Sequence, residues 1–345
     1  MSYTLCPARP LRPKPPPIIW NGTVTTSTTR GRTRIAAVLV ASAAAVSLAA
    51  CGSSSSSSSN PLAPAQPTAT GSAAASGPII VGSNNFAEST ILADIYGEAL
   101  KAKGLKVTYK PNIGSREVSY GLLKSGTVTL MPEYNGALLA YLDPKAVPAT
   151  LQDNETQLAA KVASNLQILT PAAAEDKDSL TVNAATATRY HLTAASKISD
   201  LKSIAGQLVL GAAPEFQTRQ EGVVGLKAVY GLTFKSFKAL DAGGTLTEAA
   251  LQKNDIQVGD IFTTDSTIAA QKWITLQDDK SLFGFQNVIP VAQKTLPQTA
   301  VDALNAVSAK LDTATLLDLD TKVGAKGADP LAVADAWLKT AGLTS

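Results

Sequence analysis

The sequence predicts an α/β body in two lobes. From Ile79 onward, short apolar strand runs alternate with helix patterns. The order strand–helix–strand–helix–strand over 79–131 needs crossover connections, which implies a parallel sheet with covering helices. The number of further elements up to Ser345 fits two lobes of about 100 residues or more each.

The body's elements follow in order. Ile79-Ile80-Val81 is a buried-strand run closed by Gly82 and Ser83. Over Ser89–Lys103, Ile91, Leu92, Ile95, Tyr96, Ala99 and Leu100 recur at helical spacing, and Gly104 supplies the stop. Leu105–Lys110 alternates as a strand, Ser115 caps a helix to Ser125 that Gly126 ends, and Val128–Met131 is the next strand. A helix is expected over Leu151–Leu166 and a strand over Leu180–Asn183. Further strands are expected at Leu208–Leu210, Ser236–Ala239, Ile256–Phe262, Trp273–Leu276 and Val288–Val291. Helices are expected at Gly222–Tyr230 and Leu246–Lys253, then Pro297–Leu311, around Leu316, and Asp329–Ala341.

The N-terminal part has a different character. Arg30, Arg32 and Arg34 precede the uncharged apolar run Ile35–Ala50, too short to span a bilayer comfortably, which takes about 20 residues. This is the pattern of a secretory signal, assigned to residues 1–50. Leu48-Ala49-Ala50-Cys51 resembles the bacterial lipoprotein signal, in which the cysteine is lipidated and becomes the mature N-terminus. Residues 1–23 are Pro-rich and unlike a signal peptide, so translation is expected to start near Val24. Residues 51–78 hold the serine run Ser53–Ser59 and a Pro/Ala/Ser/Thr/Gly stretch with almost nothing apolar to bury. They read as a tether spreading over roughly 30 Å.

Composition removes several function classes. Residues 1–50 carry six basic and no acidic residues, leaving 24 Lys+Arg against 27 Asp+Glu in the rest. No basic nucleic-acid footprint remains. Cys6 and Cys51 are the only cysteines, which excludes a disulfide scaffold, a cysteine zinc site or a thiol enzyme beyond residue 51. His191 is the single histidine and sits at a polar helix end, where the dipole favours it. There is no G-x-S-x-G elbow, Walker loop or G-x-G-x-x-G, so neither catalysis nor a cofactor is expected. Asp278-Asp279 reads as a turn, and residues 175–178 as a solvated loop.

The signals for binding are stronger. Ser83-Asn84-Asn85-Phe86 leads from a strand into a helix N-terminus, whose N–H groups attract anions. Arg219 follows Pro214-Glu215-Phe216 in a strand-to-helix loop, where its fork suits a carboxylate or a surface salt bridge equally. Tyr134 and Phe262 stand at strand C-terminal ends, where open α/β sheets bind ligands; such aromatics are either core or cage walls for a cation.

Three stretches, Val81-Gly82-Ser83-Asn84-Asn85-Phe86-Ala87-Glu88, Gly114-Ser115-Arg116-Glu117 and Pro132-Glu133-Tyr134-Asn135-Gly136, resemble a known family. It is the glycine betaine/choline/osmoprotectant (quaternary amine, ProX/OpuAC-type) substrate-binding proteins of ABC importers. Ile198-Ser199-Asp200-Leu201, Glu215-Phe216 with Arg219, Gly225-Leu226-Lys227 with Tyr230-Gly231, and Asp260-Ile261-Phe262-Thr263-Thr264-Asp265 agree in order and spacing. The resemblance covers about 79–345 and implies a two-lobed periplasmic-binding-protein (type II) fold with a ligand cleft between lobes. Lobe I is expected from 79–183 plus 285–345 and lobe II from 184–284, with crossings near Asn183 and Phe285.

The family's aromatic box implies ligand-binding roles for Tyr134 and Phe262, a carboxylate role for Arg219 and a cleft role for Asp178. Asn84 and Asn85 fall in the first loop, where a lysine is common at Asn84's position, and Ala137 replaces a threonine. Leu180 and Gln286 stand where the box has tyrosines, with Phe285 as a substitute wall. The partners implied are a small quaternary amine and a membrane ABC permease. The protein is expected to be a monomer, held as a lipoprotein at the outer face of the cytoplasmic membrane. A tethered ligand sensor on the same fold, or a binder of a different small polar ligand, is the alternative; an enzyme on this fold is disfavoured because no nucleophile–base pair surrounds His191.

Overall fold

The computed structural model describes residues 77–344; the leader, Cys51 and nearly all of the tether lie outside the described residues. Among the described residues no helix is long and apolar enough to cross a membrane. In chain order the strands are β1 (Ile79–Gly82), β2 (Val107–Lys110), β3 (Leu130–Tyr134), β4 (Leu166–Ile168), β5 (Leu180–Val182), β6 (Val209–Ala212), β7 (Ser236–Ala239), β8 (Val258–Asp260), β9 (Ile274–Thr275) and β10 (Val288–Gln293). The helices are α1 (Ala87–Ala102), α2 (Arg116–Ser125), α3 (Asn135–Leu142), α4 (Leu151–Lys161), α5 (Ala184–Tyr190), α6 (Val223–Tyr230), α7 (Thr245–Gln252), α8 (Thr267–Ala270), α9 (Gln298–Ser308), α10 (Thr313–Val323) and α11 (Pro330–Thr340).

The strands form two five-stranded sheets, ordered β2-β1-β3-β10-β4 and β7-β6-β8-β5-β9. Each sheet differs in one respect from the all-parallel expectation. β1 pairs parallel with β2 and β3, but β10 runs antiparallel to β3 and β4. Likewise β6 pairs parallel with β7 and β8, but β5 runs antiparallel to β8 and β9. The reversed strand is in each case the first one after the chain arrives from the other lobe. A strand entering from the cleft side points opposite to strands that reach the cleft with their C-terminal ends.

Pairing also corrects the first crossing. Leu180–Val182 belongs to the second sheet, so the chain has already changed lobes before Asn183. The crossing segments lie side by side, with an antiparallel bridge between Glu175 and Asn287 and the Asp176 N–H donating to the Gln286 carbonyl at 3.2 Å. An apolar run such as Leu180-Thr181-Val182 reads alike in either lobe, which is why its sequence does not reveal the boundary.

Strand periodicity sends alternate side chains to opposite faces. Ile79, Val81, Leu130, Tyr134, Val288 and Ala292 pack against α1 and the C-terminal helices. Ile80, Met131, Ile289 and Val291 face the opposite way, toward Tyr120, Leu138 and Leu158. α1 is enclosed, with Ile91, Leu92, Ile95, Tyr96 and Leu100 all at 0% exposure. The second lobe has its own core, including Leu180, Val182, Leu210, Phe216, Leu226 and Val258. Both sheets present strand C-terminal ends to the space between the lobes, and that is where the candidate residues gather.

Candidate ligand-binding site

Each aromatic in the cleft is placed by the end of a strand. Tyr134 closes β3 and Phe262 follows β8 by two residues. Phe86 is the N-cap residue of α1, reached from β1 through Ser83-Asn84-Asn85. Phe86 packs on both others, with ring centroids 6.1 Å from Tyr134 and 5.2 Å from Phe262. The three rings form a wall running from the first lobe to the second. Gly243 has φ +65°, and a side-chain carbon there would come within 3.0 Å of Phe262, so this glycine lets its loop lie on the ring.

The wall borders a cavity of about 60 Å³ that Asn84, Asn85, Arg116, Asp176, Asp178, Arg219 and Gln286 also line. Behind the rings the Tyr134 hydroxyl donates to Glu88, whose second oxygen accepts from Thr264 of the other lobe at 2.7 Å. Burial, and after it the neighbouring Asp320 carboxyl, hold Glu88 well above the usual carboxylate range. Asp176 accepts from the Thr263 hydroxyl and the Thr264 N–H, both at 3.1 Å. It is raised as well, by burial and then by Glu88. Bonds from Thr263 and Thr264 cross between lobes, so the aromatic end is fixed by buried polar groups.

The other end is charged. Arg116 donates through Nε at 3.0 Å to Glu133, with Nη2 at 2.9 Å from the same oxygen, and both side chains are buried. Arg219 forks onto Glu117 of the opposite lobe, Nε to one oxygen and Nη2 to the other, each at 3.0 Å. Burial alone would raise Glu117, but bonds from Arg219 and Ser115 and the charge of Arg219 outweigh it and lower the carboxyl to about 2. Asp178 beside them is raised by burial, against the pull of Arg219 and Arg116. Asp260 is raised by burial and by Asp178, and one of its oxygens is buried without a hydrogen-bond partner. Among the described residues no cluster of acidic, His or Cys side chains is arranged to hold a metal ion.

The family model for the substrate-binding domain of ABC-type glycine betaine transport systems matches residues 77–340. The chain belongs to this family. It is a family of binders rather than enzymes. The chain is similar to the glycine betaine-binding protein YehZ of Escherichia coli, 28% identical over 283 residues, covering 78% of this chain and 92% of that protein. It is also similar to a glycine-betaine-binding protein of Pseudomonas aeruginosa, 27% identical over 273 residues, covering 75% and 86% of the two chains. Among solved structures, one titled glycine betaine/carnitine/choline ABC transporter superposes with a TM-score of 0.61 at 23% identity, covering 77% of this chain and 99% of the other. This supports the two-lobed type II binding-protein fold.

Against the pattern expected for this family, Tyr134, Phe262, Arg219, Asp178, Asn84, Asn85 and Gln286 all line the one cavity. Phe285 does not. It lines a separate cavity of about 650 Å³ with Leu139 and Leu282, and so is no substitute wall. Its carbonyl packs onto α3, where a side-chain carbon on Gly136 would sit 1.9 Å away, and this contact fixes where residue 285 lies. Gln286 reaches the cavity, but its amide is engaged: it accepts from the Ala137 N–H at 3.0 Å and donates to Glu221 at 3.0 Å and to the Phe283 carbonyl at 2.7 Å. It is a strut between lobes. Leu180 is 0% exposed in the second lobe's core. Asn84 is also committed, accepting from the Ser119 hydroxyl at 2.6 Å.

Sequence reasoning missed Phe86 and Arg116 as cavity residues. For Phe86 the signal was present, because it follows a strand's C-terminal end as Tyr134 and Phe262 do. For Arg116 there was none: a first-turn arginine reads as a surface residue until Glu133 is seen beneath it.

Proposed function

We propose that this chain is the extracytoplasmic capture subunit of an ABC importer, taking up an osmoprotectant or related small quaternary amine and delivering it to a membrane permease. The observation that carries this reading is the three-ring wall of Phe86, Tyr134 and Phe262, bordering a cavity with the Asp176 and Asp178 carboxyls. A quaternary ammonium has no N–H to donate, so it is recognised by ring faces and by the oxygens of neighbouring carboxyls; each cation–ring contact contributes about 0.5–2 kcal/mol. The lobes close on the ligand by hinge motion at the paired crossing segments, and the closed form docks on the permease.

A thermal-shift screen of the chain against glycine betaine, choline, amino acids and polyamines tests the reading. A ligand that binds only the folded state raises the melting temperature by mass action. Stabilisation by a quaternary amine is expected; stabilisation by amino acids or polyamines alone would overturn the reading.

Anchoring is the second part of the proposal. Cys51 carries the lipid and the tether holds the body above the membrane. Cys51→Ser is therefore expected to release the protein from the membrane fraction without changing ligand affinity, and retention of the serine variant would contradict this.

A further inference from the structure

The two arginines that line the cavity are both already paired. Arg116 is neutralised beneath it by Glu133. Arg219, the expected carboxylate receptor, is forked by Glu117 with two parallel bonds of 3.0 Å, the geometry in which a guanidinium holds a ligand carboxylate. Glu117 comes from the first turn of α2 in the first lobe, and Arg219 from the connection before α6 in the second. Glu215 adds a carboxylate 3.9 Å from Arg219, and Asp178 lines the same cavity. A ligand carboxylate arriving at Arg219 must therefore evict Glu117 and then sit among three acidic side chains.

We propose that Glu117 is a specificity-determining residue of the cleft. It occupies the place of a ligand carboxylate on Arg219 and so favours a quaternary ammonium without a free carboxylate, of the choline class, over a betaine. The proposal rests on the quaternary-amine reading of the site and deepens it. The contact also ties lobe to lobe, so a choline-class cation finds the cleft closed at its charged end without supplying an anion itself. A betaine has to replace that closure with its own carboxylate. The pair is partly exposed, with 27% of Arg219 and 40% of Glu117 accessible, so the exchange is reversible and tunes preference rather than forbidding the acid.

The test is calorimetry of choline and glycine betaine on the full chain and on Glu117→Gln. The amide keeps the size and removes the charge. The parent is expected to bind choline more tightly. The variant is expected to bind betaine about fivefold more tightly than the parent does, as loss of one partly exposed like charge allows, while choline stays within about threefold. If the parent prefers betaine by about tenfold, or the ratio of the two affinities does not move in the variant, Glu117 does not set specificity and the quaternary-amine reading stands without it. If the parent binds neither compound, the quaternary-amine reading fails and this proposal falls with it.

Discussion

The two Arg–Glu pairs at the cleft have the same chemistry in opposite surroundings. Arg116 and Glu133 have side chains only 8% and 1% exposed, whereas Arg219 and Glu117 are 27% and 40% exposed. The buried pair joins α2 to β3 inside one lobe; the exposed pair spans two lobes. A charge taken out of water cannot lose its partner without leaving an uncompensated ion, so the first pair is structural. An exposed pair has water as an alternative partner and contributes about 0–1 kcal/mol, so the second can exchange its partner at little cost. Burial, more than bond length, thus separates the fixed ion pair of this site from the exchangeable one.

Breaking each pair sharpens the comparison. Arg116→Met is expected to cost about 3–5 kcal/mol, because it strands Glu133 in the core. At about 2–4 °C per kcal/mol for a body of this size, the melting temperature should fall by roughly 6–20 °C, and Glu133→Leu added to it should recover much of that. Arg219→Met should stay within about 4 °C of the parent. Similar losses from both would show that burial does not distinguish them.

A smaller effect comes from Glu221, which burial, and after it Asp178, push up to about 8. Its folded value lies above the usual carboxylate value of about 4.3, so its contribution is fully present below that and is lost as pH rises toward 8. Glu221→Gln keeps an acceptor for the Gln286 amide and removes the titration. The variant's melting temperature should match the parent's near pH 4.5 and exceed it by a few degrees at pH 8. An equal offset at both pH values would show that ionisation of Glu221 is not the cause.

Much of this architecture was legible in the residues. The strands expected at Ile79, Ser236 and Val288 are β1, β7 and β10, and Gly104 and Gly126 adopt the left-handed conformation expected of helix stops, with φ of 77° and 79°. Tyr134 and Phe262 line the cavity as expected of strand C-terminal ends, a topological position that the alternation of elements reveals. What was not legible depends on partners distant in sequence. The helix expected over Leu151–Leu166 ends at Lys161, and Leu166–Ile168 is a strand only through its pairing with β10. Asn135–Leu142 was missed because it begins directly after β3 on Asn135-Gly136, a pair that reads as a turn rather than as a helix start. The direction of β5 and β10 follows from lobe crossing, which periodicity does not encode. Gln286 looked like a lost tyrosine, and its role as a strut needs Glu221 and Ala137, 65 and 149 positions away.

The central claim is that Phe86, Tyr134 and Phe262 hold a quaternary ammonium against their faces. Calorimetry of choline on the full chain and on Phe262→Leu tests it most directly, because leucine keeps apolar bulk, removes the ring, and leaves the Tyr134–Glu88 bond untouched. An affinity loss of roughly 2- to 30-fold is expected, the size of one cation–ring contact, with no more than a small change in melting temperature without ligand. Unchanged choline affinity in Phe262→Leu, with the parent binding well, would mean that this ring only packs the lobes together and that the cation sits elsewhere.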